Sequence, residues 1–591
     1  MLRTVAALTL SVALVAPAPA GAAESSPAPR VPEQVGWGGA VSSVDPDASQ
    51  IGIDVLRRGG NAVDAAVATA AALGVTDPFS AGIGGGGFFV YYDARSGRVS
   101  TLDGRETAPR SATDQLFVEN GQPLPFAEAM TSGKSVGVPG TPKTWQQALR
   151  KWGTLNLREA MGPAESLARR GFVVDQTFNS QIANNAARFA DFTSTRDLYL
   201  PGGQPPAVGS TFRNPQLADT YRELARTELA SLYGGAVGRD LVKTVQKPPV
   251  VPGSTRNVRA GDMQLSDLAR YQVERREPTH SRYRGLDVYG MAAPSSGGTT
   301  VGEALNILES TDLSKVSDVE YLHRFIESTK LSFADRLRWV GDPKFNRVPT
   351  EGLLSQKFAD SRACLIKPDA VLPAPQPAAD PYNPKACEAT AGLSALREDA
   401  ERTTHLTTAD RWGNVVAYTL TIEAEGGSGI VVPGRGFLLN NELTDFEFVA
   451  PTAGVPHPNL PGPGKRPRSS MAPTIVVDQG KVLLAVGSPG GSTIITTVTQ
   501  ILTARLDRKM SLVDAVKAPR ASQRNAATTP AEAEFIAAAT TAGLQAIGHK
   551  FSQNAEIGAA TAVERAKDGR WRAVAEPTRR GGGAARVVKV G

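Results

Sequence analysis

Apolar residues recur along this chain in blocks whose spacing changes from helical to strand-like. Ile51, Val55 and Leu56 lie at helical spacing between Asp45-Pro46 and Gly59-Gly60. This predicts a helix capped by Asp45, with Pro46 in its first turn and the glycines at its end. Asn61 predicts the cap of a second, Ala-rich helix that runs to Leu73 and stops at Gly74. It is apolar nearly all round, which predicts burial. In "GIGGGGFFVYYD", residues 82–93, glycines lead into a strand over Phe88 to Tyr92. They precede a strand, not a helix, and no GxxxxGK[ST] follows, so they read as close backbone approach and not as a phosphate loop.

From about 140 to 350 the pattern is mainly helical. "DVEYLHRFIESTKLSFADRLRW" carries Val319, Leu322, Phe325, Ile326 and Leu331 at helical spacing. Residues 366–400 are Pro-rich, then Ala-rich and charged, which predicts an exposed linker. Strand texture begins at 403 with "TTHLTTAD", "RWG" and "NVVAYTLTI". A hairpin with Arg411-Trp412-Gly413 as its loop sets Asp410 opposite Asn414 and Thr403 opposite Thr421, with Gly413 supplying the positive φ. Facing Cβ atoms then lie about 5 Å apart. Alternation puts Glu423 and Glu425 on the same face as Thr421. A loop one residue longer shifts this pairing.

Composition narrows the class. The chain has 591 residues, 41% of them hydrophobic, enough for several domains or one large α/β body. A formal charge of +6 is small for this length and does not mark a nucleic-acid binder. Arg579-Arg580 reads as a solvated loop. The N-terminus has Arg3, an apolar run from Val5 to Val15 and small residues up to Ala22, the pattern of a secretory signal peptide over 1–23. The run is shorter than the roughly 20 residues of a membrane span, and no Cys follows it to carry a lipid anchor. The expectation is a soluble, secreted protein, extracellular or in the cell-envelope space. Cys364 and Cys387 are expected to pair there, closing a loop for which chain-entropy models give about 3 kcal/mol. The five histidines show no ligand spacing, so neither a metal nor another cofactor is expected.

The threonine run at 403 raises a chemical question. Its bland reading is an ordinary strand. Its sharper reading is a cut before Thr403, since an N-terminal threonine can use its own α-amine as base. That amine has an unperturbed pKa near 7.7–8.0. The residues alone do not separate the two readings.

Resemblance does. From about residue 38 the chain resembles the γ-glutamyltranspeptidase family of N-terminal-nucleophile hydrolases. The matching segments, in order, are "ASQIGIDVLRRGGNAVDAAVA", "GIGGGGF", "DGRETAP", "GVPGT", "PSSGG", "TTHLT", "LLNNELTDF", "KRPRSSMAPT" and "GSPGGSTIITT". The resemblance implies an α+β fold, a four-layer α-β-β-α sandwich. It implies self-cleavage into a large subunit, 24–402, and a small subunit, 403–591, which remain associated. Thr403 is then the nucleophile that takes a γ-glutamyl group from glutathione or a similar donor and passes it to water, an amino acid or a peptide.

The remaining roles are implied in the same way. Thr421 matches the threonine that hydrogen-bonds the nucleophile, and the amides of Gly490 and Gly491 match the oxyanion hole. Arg105, Ser469 and Ser470 match the groups that bind the substrate α-carboxylate. Glu442 and Asp445 match the acceptors for its α-ammonium. Ser295 to Gly298 is given a structural role.

Three departures stand out. Glu423 replaces an Asn found in many members and adds charge near the ammonium site. The loop between Asp445 and Ser469 looks shortened and has no Tyr to cover the substrate. "AEPTRRGGGAA" departs from the usual Asp-Pro-Arg wording. The alternatives are a glutaryl-cephalosporin acylase of the same superfamily and a non-catalytic binding protein on the same fold.

Overall fold

The structure is a computed structural model that describes residues 29–387 and 402–591, apart from 452, 453 and 455. Residues 1–28, which include the expected signal peptide, and residues 388–401 fall outside the described residues. Helix and sheet are mixed throughout. β1 (Glu33–Ser43) leads into α1 (Pro46–Arg57), where Asp45 accepts from the Ala48 amide as the expected cap. α2 (Ala62–Thr76) is capped by Asn61 and fully buried. It does not stop at Gly74. That residue lies inside the helix because a Cβ there would stand 2.5 Å from the Tyr221 hydroxyl.

The next strands are β2 (Gly86–Asp93), β3 (Arg98–Asp103) and, after a helical region, β4 (Leu286–Gly290). α3 (Gly297–Glu309) and α4 (Asp318–Trp339) follow. β5 (Thr403–Asp410) and β6 (Val415–Thr421) form the central hairpin. β7 (Thr474–Asp478), β8 (Lys481–Gly487), α5 (Thr493–Leu506), β9 (Thr561–Arg565), β10 (Trp571–Ala575) and β11 (Ala584–Val590) complete the frame.

The strands join edge to edge in one continuous path: Glu274–Arg276, β3, β2, β6, β5, β1, β10, β9, β8, β7, β4 and Thr279–Tyr283, with β11 also on β1. β1 turns the path. Its start pairs with β10 and its end with β5, across a bulge between Trp37 and Ala40. Gly38 and Gly39 adopt φ of +86° and +134° there, backbone that L side chains disfavour.

β2, β5 and β6 are buried on both faces. Phe89, Tyr91, Leu406, Tyr418 and Leu420 point to a core made with α1 and α2. Phe88, Val90, Ala409 and Ala417 point to a second core, shared with β7, β8, α3 and α5.

The hairpin pairs Thr403 with Thr421 and Ala409 with Val415, so the loop is the expected three residues, with Gly413 at φ +94°. The glycines before β2 sit against backbone: a Cβ would stand 2.0 Å from the Thr421 carbonyl oxygen at Gly85 and 2.4 Å from that of Thr419 at Gly87.

Two expectations need correction. The helical middle also supplies three short strands between 274 and 290; their shortness and mostly polar sequences hide them. The described part of the expected exposed linker, 366–387, is mostly exposed or half-buried, as expected, but it is not free: it is pinned to α4. The Leu372 amide donates to Glu327, the Ala379 amide to Asp335, and Lys330 Nζ to the Leu372 carbonyl. Cys364 and Cys387 are bonded, with Cα atoms 5.5 Å apart.

Candidate active site

The Arg402–Thr403 peptide lies at the start of β5, where the register brings Thr421 opposite. The Thr403 hydroxyl stands 3.4 Å from Thr421 Oγ1, and Thr421 Oγ1 donates to the Arg402 carbonyl at 2.9 Å. Thr421 Oγ1 also accepts from the Glu423 amide at 2.8 Å, and the Glu423 carbonyl accepts from the Arg402 amide at 2.9 Å. Glu423 adopts φ +77°, which ends the strand alternation. Its side chain stays with Thr421, but Glu425 turns away and pairs with Arg402 at 3.1 Å, contrary to the alternation.

Arg105, Thr403, Thr421, Glu423, Glu442, Asp445, Ser469, Ser470 and Gly491 line one pocket of about 260 Å³. Gly490 lines the adjoining groove. Arg105 is 1% exposed and its guanidinium forks onto Glu442 and Asp445. Its Nε donates to the Pro467 carbonyl at 3.2 Å and its Nη2 to that of Arg468 at 2.9 Å. The cationic and anionic ends expected of one amino-acid site thus satisfy each other in the free protein.

Neighbouring asparagines set Glu442 in place. Asn440 donates to the Gly84 and Gly137 carbonyls at 2.7 and 2.9 Å and accepts from the Glu442 amide at 3.0 Å. Asn441 donates to Glu423 and, at 3.0 Å, to Thr444 Oγ1. Ser469 and Ser470 are held by the Ser295-Ser296 segment: Arg336 donates to Ser296 Oγ and Ser470 Oγ, each at 2.7 Å.

Gly490 and Gly491 sit between β8 and the N-terminus of α5 with φ of +126° and +53°. Neither amide donates a hydrogen bond among the described residues. Two unspent donors at a helix N-terminus suit a developing oxyanion.

The gamma-glutamyltranspeptidase family model matches residues 48–586. The chain belongs to the gamma-glutamyltranspeptidase family. It is an enzyme of that family. It is 38% identical over 586 residues to the glutathione hydrolase proenzyme of Bacillus subtilis (strain 168), covering 97% of this chain and 96% of that one. It is 34% identical to the acylase ACY 1 proenzyme of Pseudomonas sp. (strain V22), covering 95% and 98%. The crystal structure of cephalosporin acylase from Bacillus halodurans superposes with a TM-score of 0.82 at 28% identity, covering 96% and 99%.

Several residues around this family's pocket escaped the sequence reading. Arg580 is no solvated loop residue: it donates to the Thr403 carbonyl at 2.7 Å, and burial followed by the nearby Arg402 charge lowers its pKa to about 10. Arg579 is buried too, between Glu532 and Glu576. Glu106, beside Arg105, is fully buried; desolvation first and the Glu442 charge second push it well above the usual carboxylate range. Glu442 itself is raised to about 7, by burial against the opposing pull of Arg105. None of the described residues between Asp445 and Ser469 lines the pocket; Phe448 stacks on Phe117 instead, centroids 4.4 Å apart.

The histidines are less scattered than their spacing implied. His323, Glu327 and His549 converge, but the two rings bond each other at 2.8 Å and Lys330 Nζ sits 2.7 Å from Glu327.

Proposed function

We propose that the protein is an exported γ-glutamyl hydrolase and transferase that cuts itself before Thr403. The observation that carries this is the convergence, at one pocket, of Thr403 with an arginine, two serines and two carboxylates suited to an α-amino acid head group. A carboxylate exchanging onto Arg105 and an ammonium exchanging onto Glu442 and Asp445 replace pairings already present.

In the uncut chain the Thr403 oxygen attacks the Arg402 carbonyl carbon. The proton of the Thr403 hydroxyl passes towards Thr421, whose own proton lies on the Arg402 carbonyl oxygen. Thr421 hands its own proton to the former carbonyl oxygen; as the tetrahedral centre collapses that proton passes to the departing nitrogen, the C–N bond breaks, the nitrogen becomes the Thr403 α-amine, and water opens the resulting ester. The pieces, 24–402 and 403–591, stay together as large and small subunits of a four-layer α-β-β-α sandwich.

In the mature enzyme the amine takes the proton of the hydroxyl, which attacks the γ-carbonyl of glutathione or a related donor. The Gly490 and Gly491 amides receive the oxyanion. Water or an amino-acid or peptide amine then releases the γ-glutamyl group. The N-terminal leader, 1–23, supports export.

A second reading has support in the likeness to a cephalosporin acylase structure and to an acylase proenzyme, which extends over most of the chain. A glutaryl group lacks the α-ammonium that Glu442 and Asp445 are suited to accept. Intact mass should give two pieces, one starting at Thr403. A γ-glutamyl anilide should turn over faster than a glutaryl anilide; the reverse order would select the acylase.

A further inference from the structure

Ser469 and Ser470, the two serines matched to the substrate α-carboxylate, are buried and line the pocket. Arg336 reaches them from the last turn of α4 and is itself only 5% exposed. Its Nε donates to Ser296 Oγ and its Nη2 to Ser470 Oγ, each at 2.7 Å. Two nitrogens of one planar group therefore hold two serine hydroxyls.

The direction of these bonds follows from their chemistry. A guanidinium can only donate, whereas a hydroxyl has one proton and two lone pairs. A serine that accepts from Arg336 spends a lone pair there, and its proton points elsewhere. Ser296 shows the result: its hydroxyl donates to the Ser469 carbonyl at 2.7 Å, beside its own amide, also at 2.7 Å. Ser470 is held in the same way, but its hydroxyl donates to no group among the described residues. That proton is left for an acceptor in the pocket.

Other contacts hold the backbone here. The Ser469 amide donates to the Pro294 carbonyl at 3.0 Å, and Ser295 Oγ to the Met471 carbonyl at 2.7 Å. Arg336 adds what these contacts do not supply, the rotation of the Ser470 hydroxyl.

We propose that Arg336 is a positioning residue for substrate recognition: it turns the Ser470 hydroxyl towards the substrate α-carboxylate, and so makes the pocket select a donor with a free α-carboxylate over one in which that group is an amide. This rests on the γ-glutamyl head-group reading. Ser470 then accepts from a cation on one side and donates to an anion on the other, an arrangement in which each bond polarises the other. An uncharged amide gains less from the same donor. On the proposed cut, Arg336 and Ser470 fall in different pieces, so this end of the pocket is complete only while the pieces stay together.

The test is a matched pair of donors, γ-glutamyl-4-nitroanilide and the same compound with its α-carboxylate converted to a primary amide. They are compared in wild type, Arg336→Gln and Arg336→Lys, and again with Ser470→Ala added to each. The ratio of kcat/KM, carboxylate over amide, should fall at least about fivefold in Arg336→Gln, within the scale of a hydrogen bond to a charged group, and less steeply in Arg336→Lys. The loss should appear in KM for the carboxylate donor, with kcat changed less than about threefold. With Ser470→Ala present, Arg336→Gln should change the ratio less than about twofold, because the hydroxyl it orients is gone. A smaller fall in the single variant, or an equal fall in both backgrounds, overturns the proposal. Should Arg336→Gln fail to fold, Arg336→Lys carries the comparison, and an unchanged ratio there overturns it. If wild type shows no preference for the carboxylate donor, the head-group reading itself fails and the role of Arg336 with it.

Discussion

Thr421 Oγ1 donates a hydrogen bond to the carbonyl oxygen of Arg402, 2.9 Å away. The group expected to steady the nucleophile therefore also polarises the bond proposed to be cut. Thr421→Val should slow appearance of the fragment that starts at Thr403 by about 10²–10³-fold, the usual cost of one donor to a developing oxyanion, while Thr421→Ser retains it. Timed intact-mass spectra check this. Thr403→Ala should stay uncut, and splitting at 402/403 in that variant would sink the scheme.

Arg105 is buried between two carboxylates, so its replacement harms both affinity and stability. Arg105→Lys keeps the charge but loses the fork, and kcat/KM for a γ-glutamyl anilide should fall at least about 100-fold. Arg105→Leu should also unfold earlier in urea, by about 3–5 kcal/mol, because it strands Glu442.

The pH profile should carry two groups on its acid side. In the proposed mechanism Glu442, raised to about 7, accepts the ammonium only when ionised, and the Thr403 amine works only when neutral. Both losses run in the same direction, so log kcat/KM should fall with a slope near two below about pH 7. In Glu442→Gln the remaining slope should be near one, at a lower plateau. A slope of two in that variant would remove Glu442 from the titration.

His405 is fully buried beside Thr419, and burial lowers its pKa to about 3. The unfolded chain takes up a proton near pH 6.5 and the folded one does not. Stability is therefore lost as pH falls from about 6.5 towards 3, by up to about 1.4 kcal/mol per unit from this group. Urea titrations at several pH values should show a shallower acid limb in His405→Gln.

The hairpin register was legible because a glycine and a short loop fix it locally, and the helix caps at Asp45 and Asn61 are equally local signals. Pairing within one pocket was legible for Arg105, Glu442 and Asp445 through resemblance, but their mutual ion pairs were not, since nothing in spacing says what fills an empty site. Arg580 was missed for a different reason. Its contact with Thr403 spans 177 residues, and its own words, "PTRRGGG", describe a turn. Glu425 went astray at a single dihedral, the positive φ of Glu423, which a non-glycine residue does not announce. The linker's exposure was legible but its anchoring was not, because the anchors, Glu327, Lys330 and Asp335, belong to a helix read only for its apolar stripe.

On the proposed cut before Thr403, β1 falls in the N-terminal piece, yet β5, β10 and β11, which flank it, all fall in the C-terminal piece. Once the bond before Thr403 opens, the shorter chain still grips a strand of the longer one along both edges. Dilution alone will not part them. Unfolding erases an advantage that synthesis gave only once: the precursor closes this sheet within one molecule, whereas denatured mature enzyme has to find its other half in solution. Recovery of activity after denaturation should depend on protein concentration for the cut enzyme and be independent of it for uncut Thr403→Ala, followed by its fold.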